Sequence, residues 1–183
     1  MKPRFELTRS PPALLPVLAV MAGPVPVHGA STPSLPAAER EQLVLELLED
    51  KALYTVACGL KPVGSGFWQA SLSVDAPELS QVETVRSTLA QLELGPDRTA
   101  GVQAFADVCV GRRRAQAFVV HRPALRSLLA SEAAFFGPLG LGPGADPFEV
   151  LCTVERLPRL ERFCGYGLLF GYSRRALEFT LAP

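Results

Sequence analysis

The sequence predicts a small α+β fold, with several helices packed on a short antiparallel sheet or hairpin. Three observations carry that expectation. Apolar residues recur every three or four positions through several segments, as on one face of a helix. Elsewhere apolar and polar residues alternate through two stretches joined by a short turn, the pattern of a hairpin. Hydrophobic residues make up 48% of the 183, enough to bury a core, and that length holds one domain, two at most.

The first 29 residues stand apart from the rest. "MKPRFELTR" sets Lys2, Arg4 and Arg9 against Glu6, "ALLPVLAVMAG" is uncharged and mostly apolar, and "PVPVHGA" is broken by prolines and ends in small residues. This is the layout of a secretory signal peptide, with Val27 and Gly29 at positions −3 and −1 of a cleavage site. Glu6 and Pro16 depart from the pattern, and the alternative is a proline-rich N-terminus on a cytoplasmic protein. The apolar run falls far short of the ~20 residues that a spanning helix needs. The expected organisation is therefore a signal peptide over 1–29, a linker over 30–35 and one globular α+β domain over 36–183, exported to the periplasm or the extracellular space.

Element by element, the domain reads as follows. Ser34 caps and Pro36 opens a helix that runs to about Leu53, with Leu43, Val44, Leu47 and Leu48 on one face. Tyr54 to Val56 favours a strand, and Pro62, Gly64, Ser65 and Gly66 a turn. A second strand spans Trp68 to Val74. Asp75 and Glu78 have capping-box spacing ahead of a helix carrying Leu79, Val82, Val85, Leu89 and Leu92, which Gly95-Pro96 ends. Val102, Ala104, Ala106, Val108 and Val110 alternate with more polar positions, and Phe118 and Val120 resume the alternation after a "GRRR" turn. Pro123 starts a helix that reaches about Phe136, and Gly137 to Pro147 is an irregular loop. Asp146-Pro147 then opens the first of three helices, at about 147–156, 159–171 and 173–181.

Charge and cysteine usage narrow the function. Lysines and arginines number 18 and so do the acids; loss of Lys2, Arg4, Arg9 and Glu6 with the leader leaves 15 against 17. That balance offers no basic face for nucleic acid, so none is expected as a partner. The mature chain has no apolar run of spanning length, so no transmembrane segment is expected there. Cys58, Cys109, Cys152 and Cys164 allow two disulfides in an exported protein. Cys152–Cys164 is the favoured pair, because Leu157-Pro158-Arg159 looks like a turn that folds two helices together; buried free thiols are the alternative. No C-x-x-C spacing occurs, and neither a metal nor a cofactor is expected.

Motifs that carry chemistry are sparse. "FCGYGLLFGY" (163–172) places Gly165 and Gly167 as in a dinucleotide fingerprint, but Phe170 fills the third glycine's slot and the chain ends before a ribose-binding acid. Helical packing through small residues reads it better, with Tyr166 and Phe170 as i, i+4 neighbours. The glycine-rich loop 137–147 has no lysine with which to close a phosphate loop. "LKPVGSGFW" gathers Lys61, Ser65 and Trp68, a loop suited to ligand contact or, less directly, to a lysine-assisted serine nucleophile. His121, the one histidine beyond the leader, ends a strand where a capping role is ordinary, with Asp107 the nearby carboxylate on the paired strand. Arg112, Arg113 and Arg114 make a basic hairpin tip, and Arg174 and Arg175 a second pair. The expected function is a binding or interaction module for a small molecule or a protein, using Lys61, Ser65, Trp68, Tyr166 and Tyr172. The alternative is a hydrolase-like enzyme working through Ser65 and Lys61 or through His121.

Overall fold

Alternation along Ala115–Val120 organises the molecule. Ala115, Ala117 and Val119 enter one hydrophobic cluster, while Phe118 and Val120 enter a second. A strand buried on both sides must be central, with helices on each face. A computed structural model, which describes residues 33–181, has that architecture. In chain order it contains α1 (Ala37–Glu46), a π-helical turn (Leu47–Lys51), α2 (Leu53–Val56), β1 (Val63–Ser73), α3 (Ser80–Ala90), β2 (Arg98–Cys109) and β3 (Arg112–His121). After these come α4 (Arg122–Ser131), α5 (Ala133–Phe136), a 3₁₀ turn (Gly137–Leu139), α6 (Pro147–Glu155), α7 (Arg159–Leu169) and α8 (Arg174–Leu181). The strands form one antiparallel sheet in the order β1-β3-β2. The chain is thus a small α+β domain, as its patterning predicts. The expected leader over 1–29 lies outside the described residues, as do residues 30–32 of the 30–35 linker. Among the described residues no helix is long and apolar enough to cross a membrane.

One face of the sheet carries the N-terminal helices: Leu43 and Leu47, then Val82, Val85 and Leu89 of α3, pack on Phe67, Leu72, Val102 and the β3 alanines. The other face carries the C-terminal helices through Leu125 and Leu129 of α4, Val150, Leu151 and Val154 of α6, and Leu168 and Leu169 of α7. Asp146 caps α6 as expected, its Oδ1 accepting from Phe148 N–H at 2.9 Å and Glu149 N–H at 3.2 Å.

Each outer strand slips against β3. Four steps along β1, from Ser65 to Gln69, face two along β3, from Phe118 to Gln116. Likewise Ala104 to Val108 of β2 spans Ala115 to Arg113. Both strands therefore carry an extended bulge, which frees backbone groups from the ladder and re-aims the following side chains. In β2 this breaks the alternation expected through Ala106 and Val108, and Val108 is left 49% exposed.

Several expected elements are corrected. The first helix does not run unbroken to Leu53; it widens into the π-helical turn after Glu46. Tyr54–Val56 is a helical turn rather than a strand. The β-branched preference of Thr55 and Val56 is overridden by burial of Ala52 and Thr55 against β1, at a point where Gly64 leaves no room for a Cβ: one built there would lie 2.9 Å from Ala52. Gly64-Ser65-Gly66 is consequently strand, not turn. Helix α3 starts at Ser80, with Glu78 rather than Asp75 accepting from its first N–H (3.0 Å). The hairpin turn is Val110-Gly111, so Arg112, Arg113 and Arg114 belong to β3 and not to the tip.

The expected Cys152–Cys164 bridge is also corrected. Helices α6 and α7 do fold back on each other, but their seam is Val154, seated where Gly165 has no side chain. All four cysteines are free thiols: Cys58 and Cys109 exposed, Cys152 and Cys164 half-buried. Burial pushes the Cys152 thiol above its ordinary pKa and so keeps it protonated.

The glycines of "FCGYGLLFGY" serve packing and termination, as the helical reading expects. A Cβ on Gly167 would collide with Leu177 of α8. Gly171, at φ +82°, ends α7: its N–H bonds Leu168 O at 3.0 Å and the Tyr172 N–H bonds Gly167 O at 2.9 Å. That pair of bonds is the Schellman arrangement.

Candidate functional site

The bulge in β2 leaves the backbone of Phe105 and Ala106 without partners on β3, and side chains take their place. Arg113 donates to both carbonyls, at 2.7 Å and 2.9 Å. Glu155, the last residue of α6, accepts the Ala106 N–H at 2.6 Å. Its side chain is 1% exposed, and it also accepts from the Tyr166 hydroxyl at 2.6 Å and from Arg162 Nη1 at 3.2 Å. Arg162 Nη2 in turn donates to both carboxylate oxygens of Asp107, at 2.8 Å and 2.7 Å. A buried acid is thus satisfied by three donors, while Arg162 joins it to the exposed Asp107.

Electrostatics follow from that burial. Removal from water pushes the Glu155 carboxyl above its usual range, against the opposing pull of the Tyr166 and Ala106 hydrogen bonds and Arg162. The Tyr166 phenol is raised well above its ordinary value, first by burial and then by the adjacent Glu155. For Arg162, burial works to lower the pKa, but Asp107 and Glu155 outweigh it and the guanidinium is held still more firmly in its charged form.

Above this network, a groove of about 630 Å³ opens between the sheet and α7. Phe105 and Tyr166 give it apolar surface, with ring centres 6.2 Å apart. Tyr166 stacks on Phe170 at 5.9 Å, and Phe170 on Phe118 at 6.5 Å, which ties this surface to the core. Phe163, 49% exposed, flanks the opening. Arg112 and Arg114 reach the groove from β3, and Arg159 and Arg162 from α7. Arg112 is held by Ser71, whose Oγ accepts at 2.8 Å and whose carbonyl accepts at 2.6 Å. The side chains of Arg114 and Arg159 are exposed and make no hydrogen bond or ion pair with any described residue.

Of the five residues expected from sequence to contact a ligand, Tyr166 lines this groove and Lys61, Ser65, Trp68 and Tyr172 lie elsewhere; Asp107, Cys109, Arg112 and Arg114, singled out for other reasons, also line it. Lys61 sits with its ammonium 5.4 Å above the Tyr54 ring. Ser65, on β1, pairs with Phe118 of β3, and no hydrogen bond joins it to Lys61. Trp68 packs, half-buried, with the N-terminal helices on the opposite face of the sheet. Tyr172 is 60% exposed just past α7. His121 caps α4, its Nδ1 accepting from Ala124 N–H at 3.2 Å. Among the described residues, no three His, Cys, Asp or Glu side chains gather as a metal-ion ligand set.

Sequence patterning does not reach Glu155, Arg162 or Arg159, and it names Arg114 only as part of a basic hairpin tip. A signal for Glu155 does exist: it lies four residues after Leu151, on the apolar stripe of α6, where an acid needs partners. Arg162 and Tyr166 follow at seven and eleven residues, on the next helix. Comparison with family models, curated proteins and solved structures finds no match to this chain.

Proposed function

We propose that the protein is a binding module and that the groove between the sheet and α7 holds a small-molecule ligand. One observation carries this reading: an open cavity of ligand size, about 630 Å³, whose aromatic surface is braced by a fully hydrogen-bonded buried acid. Binding sites of small molecules have this character, mostly apolar with a few fixed polar groups on rigid elements. The hydrolase alternative draws less support. Lys61 is engaged over Tyr54, Ser65 makes no hydrogen bond to it, and the His121 Nδ1 is occupied by the α4 cap.

The test is a fragment screen read by backbone amide NMR shifts. Shifts clustered at Phe105, Gln116, Phe163 and Tyr166 support the groove. Clustering at Lys61 and Ser65, with ester hydrolysis lost in Ser65→Ala, overturns it in favour of the enzyme. Export of the module after removal of residues 1–29 belongs to the same proposal. Intact-mass analysis of natively expressed protein tests it, and retention of Met1 or Lys2 refutes it.

A further inference from the structure

Resting on the groove as the binding site, we infer that its ligand is an organic anion: an acidic head, carboxylate or phosphate, on an aromatic or otherwise apolar body. The charges that line the groove are four guanidiniums and two carboxylates. Arg162 alone engages both carboxylates, Glu155 and Asp107. Arg112, Arg114 and Arg159 are left without an acid, and the last two have no partner at all among the described residues. Because the whole chain carries 18 bases and 18 acids, this excess of positive charge is a property of the groove and not of general basicity.

The two unpartnered arginines come from opposite walls, Arg114 from β3 and Arg159 from α7, with Phe105, Phe163 and Tyr166 between the same walls. A guanidinium offers a planar fork of donors that matches carboxylate and phosphate oxygens. Aromatic surface beside it favours a ligand whose remainder is apolar. A bare inorganic anion would leave that surface wet, and a neutral apolar molecule would leave the guanidiniums unused.

Fluorescent probes on the full chain separate these possibilities. Anilinonaphthalenesulfonate supplies an anionic head on an aromatic body, and phenylnaphthylamine is its neutral counterpart. The sulfonate is expected to bind the more tightly. Arg114→Gln combined with Arg159→Gln is expected to weaken the sulfonate about tenfold or more, the scale of one lost charge-assisted hydrogen bond. The neutral probe should change by less than about twofold on the same scale. Both arginines are exposed and unpartnered, so the urea midpoint should stay unchanged and certify the fold. Naphthoate and naphthyl phosphate are expected to displace the sulfonate, the tighter of the two naming the head, while inorganic phosphate alone should not. If both probes bind equally and the double variant alters neither, the groove stands as a site and the anion inference falls. If neither probe binds, the groove reading falls with it. Displacement by inorganic phosphate as effective as by naphthyl phosphate overturns the apolar body.

Discussion

Replacing Glu155 by alanine withdraws an acceptor from three donors; Arg162 keeps Asp107, but the Ala106 N–H and the Tyr166 hydroxyl, each at 2.6 Å, are left orphaned. Neither has another acceptor at hand: the bulge has removed Ala106 from the ladder with β3, and the Tyr166 side chain is held in the ring cluster with Phe105 and Phe170. An orphaned buried donor costs about 1–3 kcal/mol. The Ala106 N–H belongs near the middle of that range, and the Tyr166 hydroxyl, which adjoins an open groove where water can reach it, near the bottom. Lost packing of a side chain 1% exposed adds to this, while release of a buried charge from its desolvation penalty subtracts. The expected net loss at neutral pH is about 3 kcal/mol, a large part of the ~5–15 kcal/mol typical of a domain. Glu155→Gln keeps the volume and one acceptor oxygen, so it should cost about 1–2 kcal/mol, the scale of one hydrogen bond to a charged group. Urea unfolding followed by far-UV circular dichroism and by Trp68 fluorescence measures both. A loss below about 1 kcal/mol for the alanine variant would refute the view that Glu155 anchors the bulge, since that is the value of an ordinary exposed contact. Equal losses in the two variants would instead refute the assignment of the effect to hydrogen bonding.

Other expectations follow from the same geometry. Burial raises the Glu155 pKa above 4.5, so the stability tied to its protonated form is full below that value and is lost as pH rises through the raised one. Glu155→Gln should therefore cost more at about pH 4 than at neutral pH; a cost that grows with pH would contradict the direction of the shift. A Cβ on Gly101 would collide with the Phe148 ring and lie 2.8 Å from its Cε1, so Gly101→Ala should destabilise by about 1–3 kcal/mol through overpacking. Thermal melting of that variant checks it, and an unchanged melting temperature would show that α6 yields freely. Val110 holds φ +49° at the turn between β2 and β3, where a β-branched residue is strained and asparagine is at ease. Val110→Asn is expected to stabilise by about 1 kcal/mol, read as a higher urea midpoint with unchanged slope.

Local rules account for the parts of the fold that were legible in the sequence. Asp146-Pro147 opens α6 because the capping oxygen and the fixed φ of proline act within one turn. Phe118 and Val120 are placed on one face by the period of a strand alone. Tyr166 could be named for its surroundings, but its pairing with Glu155 could not, since eleven residues and a turn separate them. Sequence places Ser65 on a turn because the two glycines beside it signal flexibility, whereas Gly64 in fact admits Ala52 from outside the sheet. Sequence puts Arg112, Arg113 and Arg114 at the tip for a similar reason. Nothing local distinguishes a charged turn from a charged strand end, and Val110 takes a turn conformation that its own preferences oppose. What stayed hidden was long-range: two slips in register and an acid that answers one of them.

Those slips bear on how the molecule behaves in company. The sheet is open, and β1 and β2 are its margins. A straight, regular margin offers a row of donors and acceptors on which a second chain can add as a further strand, the first step toward aggregation. Here each margin is broken near its middle, between Ser65 and Gln69 on one side and between Ala104 and Val108 on the other. Along β2 the interrupted stretch already has its carbonyls taken by Arg113 and its amide by Glu155. An incoming strand would find no long uninterrupted register on either side, so the irregularity that shapes the groove also works against edge-to-edge strand addition.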